Sequence, residues 1–237
     1  MKRFLILSIV VCLFAGVFAF AAEGMWLYNA VPKDKIKAKY GFDISQSWLD
    51  HLRLSSVRLG ASASFVSADG LIMTNHHVGA GCVHNVSTKE NDYMKIGFYA
   101  DTLAKEPKCP GMEASVLVNI EDVTAKVNAA VRPEMKPAEV MQAQRAATAS
   151  LEKECSVDAY RCDVVTLYAG ALYHLYKYRR YNDLRLVFAP EYDVAFFGGD
   201  PDNFTYPRFD LDITFLRAYE NDKPVHVSDY LKWSKTT

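Results

Sequence analysis

The segment from Val57 to His77 restricts the fold more than any other part of the chain. Gly60-Ala61-Ser62-Ala63-Ser64-Phe65-Val66-Ser67 leads to Ala68-Asp69-Gly70, and Leu71-Ile72-Met73-Thr74 follows. Asp-Gly supplies the backbone conformation that a tight antiparallel turn needs, so between two apolar runs it is a strong hairpin signal. The second strand then runs straight into Asn75-His76-His77. This chain must therefore build antiparallel β-structure that delivers histidines at the end of a strand.

The remaining pattern extends that reading. Ile44 to Leu54 has the spacing of a short amphipathic helix, and Ala114 to Ile120 reads as a strand. Residues 120–154 turn helical, with Ala-rich stretches and charges three or four apart, broken by Pro133 and Pro137. Strands return at Val164 to Tyr168, Tyr173 to Tyr178 and Leu184 to Phe188. A loop dense in Gly, Asp, Asn and Pro spans Asp193 to Arg208, and a last strand is predicted from Leu211 to Tyr219. The expected fold class is mainly β with one helical insertion around 120–154. With 50% hydrophobic residues there is ample material for a core. The formal charge of -1 gives no electrostatic case for nucleic acid. Alternating apolar residues around the tyrosines of 173–181 favour a buried strand over a nucleic-acid surface.

The N-terminus adds a compartment. Lys2 and Arg3 precede an apolar run from Phe4 to Phe20, and Ala19-Phe20-Ala21 offers small residues for cleavage. Residues 1–21 are expected to be a secretory signal peptide, since the run is short for a membrane anchor and meets a cleavage signal. The remaining residues 22–237 form the folded part, in a periplasmic or secreted location with no membrane attachment after cleavage. Four cysteines remain there: Cys82, Cys109, Cys155 and Cys162. In an oxidising compartment they suggest two disulfides. Three pairings are open, of which the sequence-local one is Cys82–Cys109 with Cys155–Cys162; free buried thiols are the alternative. No CxxC pair or HExxH helix calls for zinc, and no cofactor is expected.

The histidines carry the chemistry. In chymotrypsin-like peptidases the general-base histidine follows a strand leaving such a hairpin, where a rigid strand holds the imidazole at a cleft. Position favours His77 over His76. Asp212-Ile213-Thr214-Phe215-Leu216 resembles the strand start that carries the orienting carboxylate, which makes Asp212 the candidate over Asp210. In a strand those two aspartates would face opposite ways. A surface histidine pair or a core histidine, and a solvated turn, are the bland readings of the two sites. No Gly-x-Ser-Gly or Gly-x-Ser-x-Gly segment occurs. With the order His, Asp, Ser, the serine is expected beyond residue 237, and the chain reads as the first part of an incomplete, trypsin-like β-barrel enzyme.

Four segments carry a family resemblance: Glu23-Gly24-Met25-Trp26, Thr74-Asn75-His76-His77, Arg161-Cys162-Asp163-Val164-Val165 and the run Phe196 to Phe204. They resemble the bacterial S46 peptidases, periplasmic dipeptidyl-peptidases of the type 7 and type 11 kind. The resemblance implies a serine-type exopeptidase with a chymotrypsin-like double barrel. It implies release of dipeptides from peptides with a free N-terminus, no metal, and a homodimer for the full-length form. It assigns His77 as base, Asp212 as its orienting carboxylate and Asn203 as the group that binds the substrate's ammonium. Phe204 stands where many members have tryptophan. Val78 replaces a cysteine that often follows the histidines, leaving Cys82 to take over its pairing. Phe209-Asp210-Leu211 replaces a more usual His-Thr-Gly. On this reading the 237-residue chain alone is inactive. A non-catalytic peptide-binding remnant and a secreted endopeptidase of the high-temperature-requirement type are the other readings of the same residues.

Overall fold

The structure is a computed structural model that describes residues 25–199, 205 and 209–234. The signal-like segment lies outside the described residues, as do Asn203 and Phe204. The chain divides into two compact units, residues 1–44 and 45–237. In the first, a single turn at Tyr28–Ala30 is followed by helix α1, Lys33–Tyr40. Gly41, at φ 67°, ends α1 with its N–H on the Lys37 carbonyl at 2.9 Å. The sequence pattern did not mark this helix because it buries no residue.

The second unit opens with helix α2, Gln46–Ser55, whose cap Ser45 accepts from the Trp48 N–H at 3.1 Å. Strands β1 (Ser56–Arg58), β2 (Ser62–Phe65) and β3 (Leu71–Thr74) follow. The predicted hairpin is β2–β3, in antiparallel register with Phe65 opposite Ile72. Gly70 makes its turn at φ 71°, and a Cβ there would meet Val225 Cγ2 at 2.7 Å. Only glycine satisfies both demands.

Helix α3 then runs from His76 to Val86, followed by short helix α4 (Tyr93–Ile96), strand β4 (Phe98–Tyr99) and long strand β5 (Ala114–Asp122). The helical insertion is two helices, α5 (Thr124–Asn128) and α6 (Pro137–Cys155). Pro137 starts α6, and the Lys136 N–H bonds Glu139 Oε2 at 2.7 Å. The expected helical stretch began at 120, but Ile120 to Asp122 pair with Tyr176 to His174, so cross-strand hydrogen bonds claim those three residues for β5. Strands β6 (Tyr160–Leu167), β7 (Leu172–Tyr181) and β8 (Asp183–Ala189), a turn of helix α7 (Tyr192–Ala195), and strands β9 (Thr214–Glu220) and β10 (Lys223–Pro224) complete the unit.

All ten strands join one antiparallel sheet in the order β4-β8-β9-β3-β2-β1-β5-β7-β6, with β10 on β9. Among the described residues the sheet is open: its ends, β4 and β6, are not paired with each other. It is nonetheless strongly coiled. Arg179 on β7 reaches Glu220 on β9 at 2.5 Å, although β3, β2, β1 and β5 lie between those strands in the sheet order. The inner face packs Phe65, Ile72, Leu184, Leu186 and Leu216, each at most 1% exposed. A second cluster, Val123, Val127, Cys162, Tyr173 and Leu175, packs with Leu151 of α6.

One buried polar network pins the hairpin turn to β9. Arg217 Nε donates to Glu106 Oε1 at 3.0 Å, and Arg217 Nη1 donates to Asp69 Oδ2 at 2.6 Å and to the Asp69 carbonyl at 3.0 Å. The Tyr219 hydroxyl donates to Glu106 at 2.8 Å. Burial, and then that bond to a carboxylate, pushes the Tyr219 pKa up to about 12. Every polar group in the network has a partner, the condition for charges to sit inside a core.

Candidate active site

The β2–β3 hairpin ends at Thr74, and the chain turns at Asn75 into α3, so His76 and His77 occupy the helix's first turn. Sequence reading placed the histidines after a strand but did not mark this helix. Gly79 and Gly81 lower its intrinsic propensity, and it is held instead by packing and by the Cys82–Cys109 disulfide. The second disulfide joins Cys155 to Cys162. The structure thus forms the sequence-local pairing.

His76 and His77 diverge. His76 is 1% exposed and stacks edge-on at 6.2 Å from Tyr192. Burial holds its pKa below the usual imidazole value, against the opposing pull of Asp212 and the Pro190 carbonyl. His77 is outward, its side chain 58% exposed, and its Nδ1 lies 2.7 Å from Asp212 Oδ2, whose side chain is 7% exposed. An ionised carboxylate has no proton to give, so Nδ1 carries the hydrogen and the lone pair is left on Nε2. The exposed nitrogen is therefore the basic one.

Asp212 is secured from three directions. Besides the imidazole, its Oδ1 accepts the His77 N–H at 3.1 Å and its Oδ2 accepts the Asn75 side-chain amide at 3.0 Å. Asn75 also donates to the Asp212 carbonyl at 3.2 Å. The carboxylate thereby caps α3 from outside, where the helix dipole favours negative charge. Asp212 was expected in a strand beginning at Leu211. It lies instead in the extended lead-in, because β9 pairing with β3 starts at Thr214 opposite Thr74. Asp210 and Asp212 therefore do not alternate across a strand, yet Asp212 is the aspartate that meets His77. Asn75 was quoted in the motif but given no role; its type, a helix-capping residue just before a turn of helix, was the available signal.

A coiled antiparallel sheet that sets a buried carboxylate behind an exposed imidazole defines a site for general-base chemistry. The chain matches Peptidase S46 over residues 21–237 and belongs to that family. It is 34% identical over 229 residues to Dipeptidyl-peptidase 7 of Porphyromonas endodontalis, covering 92% of this chain and 28% of that protein. It is also 34% identical over 234 residues to the Asp/Glu-specific dipeptidyl-peptidase of Shewanella putrefaciens, covering 90% and 31% respectively. Among solved structures it resembles Porphyromonas endodontalis DPP11 in complex with the dipeptide Arg-Glu. That match has a TM-score of 0.71 and 28% identity, over 86% of this chain and 32% of that one. The chain thus spans about a third or less of the length of these relatives.

Proposed function

We propose that this chain is the base-bearing part of an exported serine dipeptidyl-peptidase, with residues 1–21 as signal peptide and 22–237 as part of the peptidase domain. The observation that carries the reading is the 2.7 Å contact between His77 Nδ1 and a buried Asp212 that leaves Nε2 exposed. Asp212 holds the tautomer and stabilises the imidazolium; His77 Nε2 takes the proton from a serine hydroxyl and returns it to the leaving amine. The serine is supplied by residues outside 1–237, in the two thirds of the protein that the relatives have in addition. Asn203 binds the substrate's free ammonium and Phe204 walls it, which makes the enzyme release dipeptides. The coil that brings Arg179 to Glu220 supports a chymotrypsin-like barrel of six strands, β9-β3-β2-β1-β5-β7. The type 7 and the Asp/Glu-specific relatives match equally well, so this part holds machinery common to both. The complete protein is proposed to be a periplasmic homodimer.

The test is hydrolysis of dipeptidyl-coumarin substrates by the protein that joins this chain to its serine-bearing remainder. Asp212→Asn and His77→Ala should each lower kcat by about 10³-fold or more, and N-acetylation of the substrate should abolish turnover. Equal cleavage of acetylated substrates would replace the exopeptidase reading with an endopeptidase.

A further inference from the structure

We propose that a cleft beside α3, walled by Arg58 and Arg161, binds a carboxylate of the peptide on the leaving side of the scissile bond. The inference rests on the reading of His77 as the base. The cleft encloses about 470 Å³ and is lined by Gly60, Gly81, Asn85 and Gly111 together with the two arginines. A Cβ added at Gly60, Gly81 or Gly111 would meet nothing within 4 Å, so three glycines leave open backbone where side chains would otherwise fill the space.

Its charge is unbalanced. Arg161 pairs with Asp163 at 3.2 Å and Glu113 at 3.7 Å, and its guanidinium lies 5.3 Å from the Tyr178 ring centroid. Its Nε is buried with no hydrogen-bond partner among the described residues. The Glu113 carboxylate is claimed by Arg180, whose Nε donates at 2.7 Å. The lining of the cleft thus holds two guanidiniums, Arg58 and Arg161, and one carboxylate, Glu113, which Arg180 already engages; Arg58 makes no ion pair or hydrogen bond through its side chain with a described residue. A planar guanidinium without a counter-charge beside exposed backbone is suited to a carboxylate.

The position gives the cleft its register. His77, Gly81 and Asn85 follow one another at four-residue spacing, so they share a face of α3. At about 1.5 Å per residue, Gly81 lies about 6 Å and Asn85 about 12 Å along the helix from His77. An extended peptide advances about 3.3 Å per residue. A substrate leaving the imidazole along α3 brings its second to fourth residues past the scissile bond level with the cleft. The ligand is then a short peptide's terminal carboxylate, or a Glu or Asp side chain, at those positions.

The test uses the 237-residue chain and backbone amide NMR at Gly60, Gly81 and Gly111. Three N-acetylated probes are titrated at low salt: Ala-Ala-Ala with a free C-terminus, Ala-Ala-Glu-amide and Ala-Ala-Gln-amide. One or both carboxylate peptides should shift the three glycines saturably, and the Gln-amide should not; which of the two binds separates a chain terminus from an acidic side chain. Arg58→Ala should weaken binding about tenfold, the usual share of one charge-assisted bond. Gly81→Leu, whose side chain enters the empty cleft, should block it and keep the fold. Equal shifts with the Gln-amide, no shift with either carboxylate, or unchanged affinity in both variants would overturn the proposal. Dipeptidyl-coumarins end at the scissile bond and do not reach the cleft, so loss of their hydrolysis tests the peptidase reading separately.

Discussion

Two residues beside His77 on α3, Gly79 and His76, pack against other elements of the fold. Gly79 lies where α3 crosses the start of β9, and a Cβ there would stand 2.7 Å from Thr214 Cγ2 and 2.9 Å from its Oγ1. Gly79→Ala gains about 1 kcal/mol of helix propensity but forces α3 off the strand, so a net loss of about 1–3 kcal/mol in urea unfolding is expected. Thr214→Ser removes the nearest atom and should recover part of that loss in a double-mutant cycle; a stabilised Gly79→Ala would show that the helix has room. His76 is the second residue. Its pKa is lowered in the folded state by burial, so below about pH 6.5 the unfolded chain takes up a proton that the folded chain resists. Its contribution is fully present above that pH and is lost as the pH falls, at no more than about 1.4 kcal/mol per unit. Unfolding free energies at pH 7.5 and 5.0 should therefore diverge less in His76→Asn than in the wild type. His76 sat inside a legible motif and Gly79 just beyond it, yet neither role was readable. A glycine in a helix and a buried imidazole acquire meaning only from the atoms that another element brings against them.

At the scale of elements, the disulfides tie two helices to neighbouring segments of the chain. Cys82–Cys109 ties α3 to the segment before β5 across 27 residues, and Cys155–Cys162 ties the end of α6 to β6 across 7. Loop-closure entropy predicts a contribution of about 3.5 kcal/mol for the longer loop and about 2.3 kcal/mol for the shorter. Paired Cys→Ala replacements should show that order in denaturant midpoints, and loss of the first should also raise amide exchange along α3. Most elements were legible. The Asp69-Gly70 hairpin, the long pair β5 and β7, and the helical stretch broken by proline follow from local chemistry. Helix α3 was not, because Val78-Gly79-Ala80-Gly81 has no helical signature strong enough to outvote its glycines. The three-residue delay of β9 was also hidden, since the sequence from Leu211 is as apolar as the strand itself and only pairing with β3 sets the start.

For the whole molecule, sheet coiling brings β7 beside β9 and sets the frame around the His77–Asp212 pair. The imidazole is oriented, but the chain covers 28–32% of its relatives, and it contains no Gly-x-Ser-Gly segment. The 237-residue chain by itself is expected to show no hydrolysis of dipeptidyl-coumarins above its His77→Ala variant; turnover that depends on His77 would mean that a serine within the chain serves as nucleophile. Residue types and spacing alone determined the hairpin, the choice of His77 and Asp212 as candidates, the disulfide chemistry and the family resemblance, because each rests on a short local pattern. Only the tertiary structure decided that His77 faces solvent while His76 is buried, that Asp212 meets His77 from the lead-in to its strand and caps α3, and that Asn75 braces it. The two halves of the pair stand 135 residues apart. Their contact is set by the β3–β9 register and the Arg217–Glu106–Asp69 network, long-range pairings that no local pattern encodes.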